Sequence, residues 1–162
     1  MGLGSAEDVQ PAPESAAMST RLGALWEKRL NAWHSLYRTR GHAWVRKAHP
    51  PTISKNGRLV RAGTAHPDYY GTLKGGRSVV FESKATGKER WPLSEVKKHQ
   101  ARDLSREVEL GGIAFVALFS SRSQVGWVLM WEDIRGRKSL TMSEAAEIGR
   151  EFCPKDGWLP CL

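Results

Sequence analysis

The chain has 162 residues, 40% of them hydrophobic and 26% charged, with a formal net charge of +8 and seven tryptophans. That length suits one domain with a real core. No apolar run approaches the length of a membrane span and no basic-then-apolar leader opens the chain, so a soluble, cytoplasmic protein is expected. The opening MGLGSA stops short of a myristoylation signal, because Ala6 stands where Ser or Thr is wanted. Residues 1–18 are rich in Ala, Pro, Gly and Ser and hold few large apolar groups. Such a segment buries too little surface to offset its ordering entropy, so a disordered tail is expected there and a single domain over 19–162.

From Ser19 the pattern changes. Leu22, Leu25, Trp26, Leu30, Trp33 and Tyr37 fall at helical spacings, with Ser19 or Thr20 as a cap and Gly41 as a stop. AWVRKA then reads as a short strand closed by Pro50 and Pro51, and Asn56-Gly57 marks a hairpin turn. DYYGTL and RSVVFESKA read as strands joined around Gly75-Gly76. A helix is expected from Ser94 to the Gly111-Gly112 pair, then the strands IAFVALF and GWVLMWE, and a short helix over SEAAEIGREF. The order α-β-β-β-α-β-β with a short C-terminal helix predicts an α/β or α+β fold, a mixed sheet flanked by helices.

The charge is uneven. Residues 20–60 carry nine basic side chains against Glu27 alone, whereas the tail is acidic and the remainder nearly balanced. A surface that neutralises phosphates looks like this, and so does a merely solvated basic face. Only Cys153 and Cys161 are present, and the five histidines do not complete a four-ligand zinc set, so two free thiols are expected.

The chemistry concentrates in HPDYYGTLKGGRSVVFESK, residues 66–84. Strand side chains alternate, so Glu82 and Lys84 share one face while Phe81 and Ser83 take the other. A hairpin of this length can bring Asp68 and Glu82 together at one end of a sheet. Two carboxylates held close resist ionising together unless a positive charge sits between them, and a hard divalent cation such as Mg²⁺, with Mn²⁺ as a substitute, suits that position. Lys84 then stands beside the bound water or a substrate phosphate, as metal-assisted phosphodiester hydrolysis requires. A surface hairpin with an ordinary Glu–Lys pair has the same local sequence.

The flanks make the pattern specific. PDYYG with VVFESK resembles the signature of the PD-(D/E)xK nuclease superfamily, and the order of motifs resembles its RecU-type Holliday-junction resolvases. Those pair T-D-Y-x-G with F-E-A-K, then an aromatic-Pro-Leu, then His-Gln on a helix. This chain has Asp68-Tyr69-x-Gly71, Phe81-Glu82-Ser83-Lys84, Trp91-Pro92-Leu93 and His99-Gln100, preceded by WEKRLN with Glu27, Leu30 and Asn31, and followed by GGIAFVALF and GRKSL. The likeness spans roughly residues 20–145.

The resemblance implies a restriction-endonuclease-like core, paired symmetric nicking of four-way DNA junctions, a homodimer and a divalent metal. It implies Asp68 and Glu82 as metal ligands, Lys84 as the catalytic lysine, Gln100 near the reacting phosphate, and Glu27 as a metal partner directly or through water. Arg46, Lys47, Lys55, Arg58, Arg61, Lys74 and Arg77 are the candidate DNA contacts. Two departures stand out: Pro67 replaces the usual Thr, and the segment between Pro51 and Asp68, a long projecting stalk in RecU-type enzymes, is short here. Another nuclease of the superfamily acting on branched or damaged duplex, and a catalytically inactive DNA-binding relative, remain as alternatives.

Overall fold

The computed structural model describes residues 13–62 and 66–162. Helix α1, Pro13–Thr39, leads into strands β1 (Ala43–Lys47), β2 (Thr52–Lys55), β3 (Arg58–Arg61), β4 (Tyr69–Leu73) and β5 (Ser78–Thr86). The short strand β6 (Arg90–Pro92) and a single 3₁₀ turn precede α2 (Lys98–Glu109). Then follow β7 (Ile113–Ser120), β8 (Val125–Met130), α3 (Trp131–Ile134), β9 (Ser139–Thr141), α4 (Met142–Ile148) and β10 (Arg150–Glu151).

Six strands form one mixed sheet in the order β1-β4-β5-β7-β8-β10. Only β5 and β7 run parallel; their crossover contains α2, the connection that parallel neighbours require. The expected order α-β-β-β-α-β-β is that of α1, β1, β4, β5, α2, β7 and β8. The expected hairpin at Asn56-Gly57 is β2 with β3, set apart from the main sheet, and the expected short C-terminal helix is α4; β6, which pairs with β9, α3 and β10 are additions.

Each face of the sheet has its own core. On one face α1 lays down Trp26, Leu30, Trp33 and Tyr37 against Tyr69, Phe81, Phe115, Phe119 and Trp158. On the other, Leu104 of α2 packs with Trp91, Val116, Leu118, Leu129, Trp131 and Leu140. Strand β7 is buried along its whole length. That is why IAFVALF is a continuous apolar run instead of an alternating one.

Four details differ from the sequence reading. Helix α1 starts at Pro13, not Ser19. Pro fits a first helical turn, and Ala16 and Ala17 are strong helix formers. The rest of the expected tail, residues 1–12, lies outside the described residues. Leu25 is 63% exposed, so the apolar stripe of α1 passes beside it. Helix α2 begins at Lys98 instead of Ser94, because Gln100 reaches back to accept from the Lys97 N–H (2.9 Å) and caps the helix there. Strand β8 ends at Met130; Trp131 turns off into α3, where its Nε1–H donates to Ser105 Oγ of α2 at 2.8 Å.

Gly41 has φ +67° and Gly57 +73°, positions that glycine takes without steric cost. Asn56 (φ 52°) and Gly57 form the expected hairpin turn. Gly71 has a different role: β1 and β4 approach so closely that an added Cβ would run into the Trp44 carbonyl oxygen and lie 2.8 Å from Val45 Cα. Gly71→Ala is therefore expected to cost about 2 kcal/mol by forcing these strands apart, read as a lower urea midpoint at unchanged m. Unchanged stability would mean that the two strands can separate freely.

Candidate active site

Strands β4 and β5 pair antiparallel, with Tyr69 opposite Phe81 and Tyr70 opposite Val80. This register carries Asp68 to the side of Glu82. The Asp68 N–H donates to Glu82 Oε2 (3.2 Å), and the Ser83 N–H donates to Asp68 Oδ2 (2.9 Å). Each carboxylate is thus tied to the other residue's strand. Glu82 is only 1% exposed. Its Oε1 accepts from Gln100 Nε2 at 2.7 Å and lies 3.2 Å from Lys84 Nζ.

The electrostatics follow from this crowding. Burial, then the Asp68 carboxylate, push the Glu82 carboxyl up to about 8, while Lys84 pulls the other way. Lys84 brings one positive charge to two carboxylates, one short of neutrality. A hard cation between the oxygens of Asp68 and Glu82 would supply the rest, and oxygen donors on two adjacent strands fit a metal that keeps several of its waters. Among the described residues no group of three or more His, Cys, Asp and Glu side chains gathers to hold a metal. The Glu27 carboxylate is engaged by Lys47 Nζ.

Neighbouring elements fix these groups. The buried Trp91 donates from Nε1 to Glu95 Oε2 (2.9 Å) and anchors the turn before α2, which sets the position of Gln100. Gln100 faces both ways, accepting from Lys97 and donating to Glu82. On the opposite face of the sheet the Tyr69 hydroxyl donates to Asn31 Oδ1 (3.1 Å) and ties α1 to β4.

Asp68, Glu82 and Lys84 therefore meet, as their spacing suggested, and Gln100 joins them, as the resemblance implied. Lys55, Arg58 and Arg61 lie on the β2–β3 hairpin, which leaves the sheet at the site's end of β1 and is exposed along both strands. Arg46 points outward on β1, stacked beside aromatic rings. Lys74 and Arg77 flank the far turn of β4 and β5; Arg77 Nε donates to the Gly111 carbonyl (3.1 Å). Five residues of strand separate Arg77 from Glu82, about 17 Å. The Lys47–Glu27 pair and the Asn31–Tyr69 bond went unread in the sequence. The first has a signal in hindsight: Lys47 shares the inward face of Ala43 and Val45.

The comparisons fit this geometry. Residues 21–151 match the family of recombination protein U, RecU, which is more than half of the chain. The chain belongs to the RecU family. A relative, the Holliday junction resolvase RecU of Geobacillus thermodenitrificans, is 29% identical over 160 residues, covering 85% of this chain and 78% of that protein. Among solved structures, Hjc of Archaeoglobus fulgidus, a Holliday junction resolvase, superposes with a TM-score of 0.52 over 80% of this chain and 95% of that one. At 16% identity this likeness speaks for the fold alone. The RecU match spans all four residues gathered at the carboxylate pair, and Glu27 and Asn31 on α1 as well.

Proposed function

We propose that the chain is a metal-dependent endonuclease that resolves four-way DNA junctions by paired, symmetric nicks in recombination and repair. The observation that carries this reading is the buried Glu82, wedged against Asp68 and held by Gln100 and Lys84 at a sheet end, within a chain of the RecU family. A buried carboxylate of raised affinity for protons, beside a second carboxylate and a lysine, suits a divalent cation.

Asp68 and Glu82 would hold a divalent cation, Mg²⁺ or Mn²⁺, with Glu27 reaching it only through water. When bound, such a cation lowers the pKa of attached water and neutralises charge developing on the phosphate. Lys84 keeps one N–H on Glu82 and has donors left for a non-bridging phosphate oxygen, stabilising charge where it grows. Gln100 fixes the Glu82 carboxylate so that its second oxygen stays aimed at Asp68. Glu27 holds Lys47 extended along the inner face of β1.

Lys55, Arg58 and Arg61 on the exposed hairpin are placed to meet DNA backbone, where phosphate contacts orient the substrate without reading sequence. Arg46 extends that surface along the outer face of β1, whereas Lys47 turns to the inner face and Glu27 and does not join it; Lys74 and Arg77 lie further from the chemistry. A homodimer suits the task, because a two-fold protein matches a two-fold junction. The working compartment is the cytoplasm; among the described residues no helix is long and apolar enough to cross a membrane.

The test is cleavage of an end-labelled immobile four-way junction in Mg²⁺, beside linear duplex and a flap. Symmetric nicks confined to the junction are expected. Equal cutting of all three would point to a general branched-DNA nuclease, and binding without cutting in either metal would leave only a DNA-binding relative.

A further inference from the structure

Six of the seven tryptophans are buried; Trp44 is 52% exposed. It sits on edge strand β1, opposite Thr72 of β4, and Arg46 two residues on lies opposite Tyr70. Strand alternation puts Trp44, Arg46 and Tyr70 on one face, and Tyr70 itself is 41% exposed. The Arg46 guanidinium lies 4.5 Å from the Trp44 ring centre and 5.0 Å from that of Tyr70. Arg38, at the end of α1, lies 5.7 Å from the same tryptophan.

This is also the face of the two carboxylates. Tyr70 pairs with Val80, and Asp68 and Glu82 follow two residues further along their strands. Helix α2 covers the face over β5 and β7. Over β1 and β4 it is open, and a groove of about 450 Å³ runs past Tyr70 and Pro67 on this side, walled towards α2 by Arg106 and by the carboxylates Asp103 and Glu107. From Trp44 to Asp68 is four residues of strand, about 13 Å, a span of a few nucleotides. The hollow beside Trp44 is lined by Arg38, Thr72 and Lys74 and by no carboxylate.

We propose that this strip binds unpaired nucleotides of a DNA strand that leads to the scissile phosphate. Bases stack on Trp44 and Tyr70, and Arg38, Arg46 and Lys74 take the phosphates. Stacking on aromatic rings with interleaved cations recognises single strands without reading sequence. A second copy of the chain is the weaker occupant. A two-fold contact sets the same patch against itself, so it would gather the Arg38, Arg46 and Lys74 cations of two copies in one interface, whereas DNA phosphates neutralise them. This inference rests on the nuclease reading and deepens it: the substrate is branched DNA with unpaired bases close to the cut.

The experiment is fluorescence anisotropy with a labelled short oligothymidylate in EDTA, for wild type, Trp44→Ala, Trp44→Phe and Arg46→Gln, with circular dichroism to establish folding. Wild type is expected to bind, Trp44→Ala to lose roughly tenfold in affinity, and Trp44→Phe to recover most of it. Arg46→Gln is expected to weaken binding and flatten its salt dependence. No binding by wild type, or equal affinity for wild type and Trp44→Ala, overturns the inference. A change in sedimentation of Trp44→Ala with unchanged affinity also overturns it, and assigns the face to a contact between copies. Junction cleavage by wild type in Mg²⁺ separates the two readings. Tryptophan-dependent binding without cleavage sinks the nuclease and keeps this site; cleavage without such binding does the reverse.

Discussion

Glu82→Gln is expected to reduce junction cleavage in Mg²⁺ by roughly a thousandfold or more, the scale of several kcal/mol of transition-state charge stabilisation. The substitution keeps the volume and one oxygen for Gln100 and Lys84, so those contacts survive, while the bond from the Asp68 N–H to the second oxygen is lost. What it removes is the negative charge that, with Asp68, attracts the cation. Binding of the junction in EDTA should persist, because the basic hairpin and β1 lie outside the substitution. Above pH 8, where Glu82 is ionised without metal, losing this carboxylate should even strengthen binding slightly, since it repels the approaching phosphate. Single-turnover cleavage of a labelled junction and anisotropy on the same substrate read the two effects separately. A variant that still cuts within tenfold of wild type would remove Glu82 from the metal site and leave its burial without a catalytic reason.

Much of this site was legible because its parts lie on regular elements. The period of two along VVFESK puts Glu82 and Lys84 on one face, and the glycine turn folds Asp68 back to them. Gln100 was legible only as a motif residue. Its double role, capping α2 and holding Glu82, depends on where the helix starts, and that start was read four residues early because Ser94 is the better intrinsic cap. The buried Trp91 decides it instead, by anchoring the preceding turn, and tertiary packing of that kind leaves no local signature. Trp44 was hidden for a related reason. An aromatic in a short strand reads as core, and only the sheet order reveals that β1 is an edge whose outer face has no helix over it.

The second large effect is a stability that falls as pH rises, in EDTA, between about pH 6.5 and 8. Glu82 has a folded-state value of about 8 against 4.5 for the free side chain. Between those values the native chain binds the extra proton, so stability falls with pH and the favourable contribution is gone above 8. A full proton of difference gives a slope of about 1.4 kcal/mol per pH unit. His34 works in the opposite sense. It is buried, accepts from Trp158 Nε1–H at 2.9 Å and is held down to about 4, below its ordinary 6.5. Between 4 and 6.5 the unfolded chain binds the proton instead, so stability there rises with pH and offsets Glu82. The two therefore give a flat region below 6.5 and a decline above it. Urea unfolding at half-unit pH steps reads this directly. Glu82→Gln should abolish the decline and keep the acid limb that belongs to His34. Mg²⁺ should reverse the decline in wild type, its stabilising effect growing with pH as it competes with the proton for the same oxygens. If wild type and Glu82→Gln decline alike above 6.5, another group titrates there, and the charge deficit assigned to the carboxylate pair does not exist.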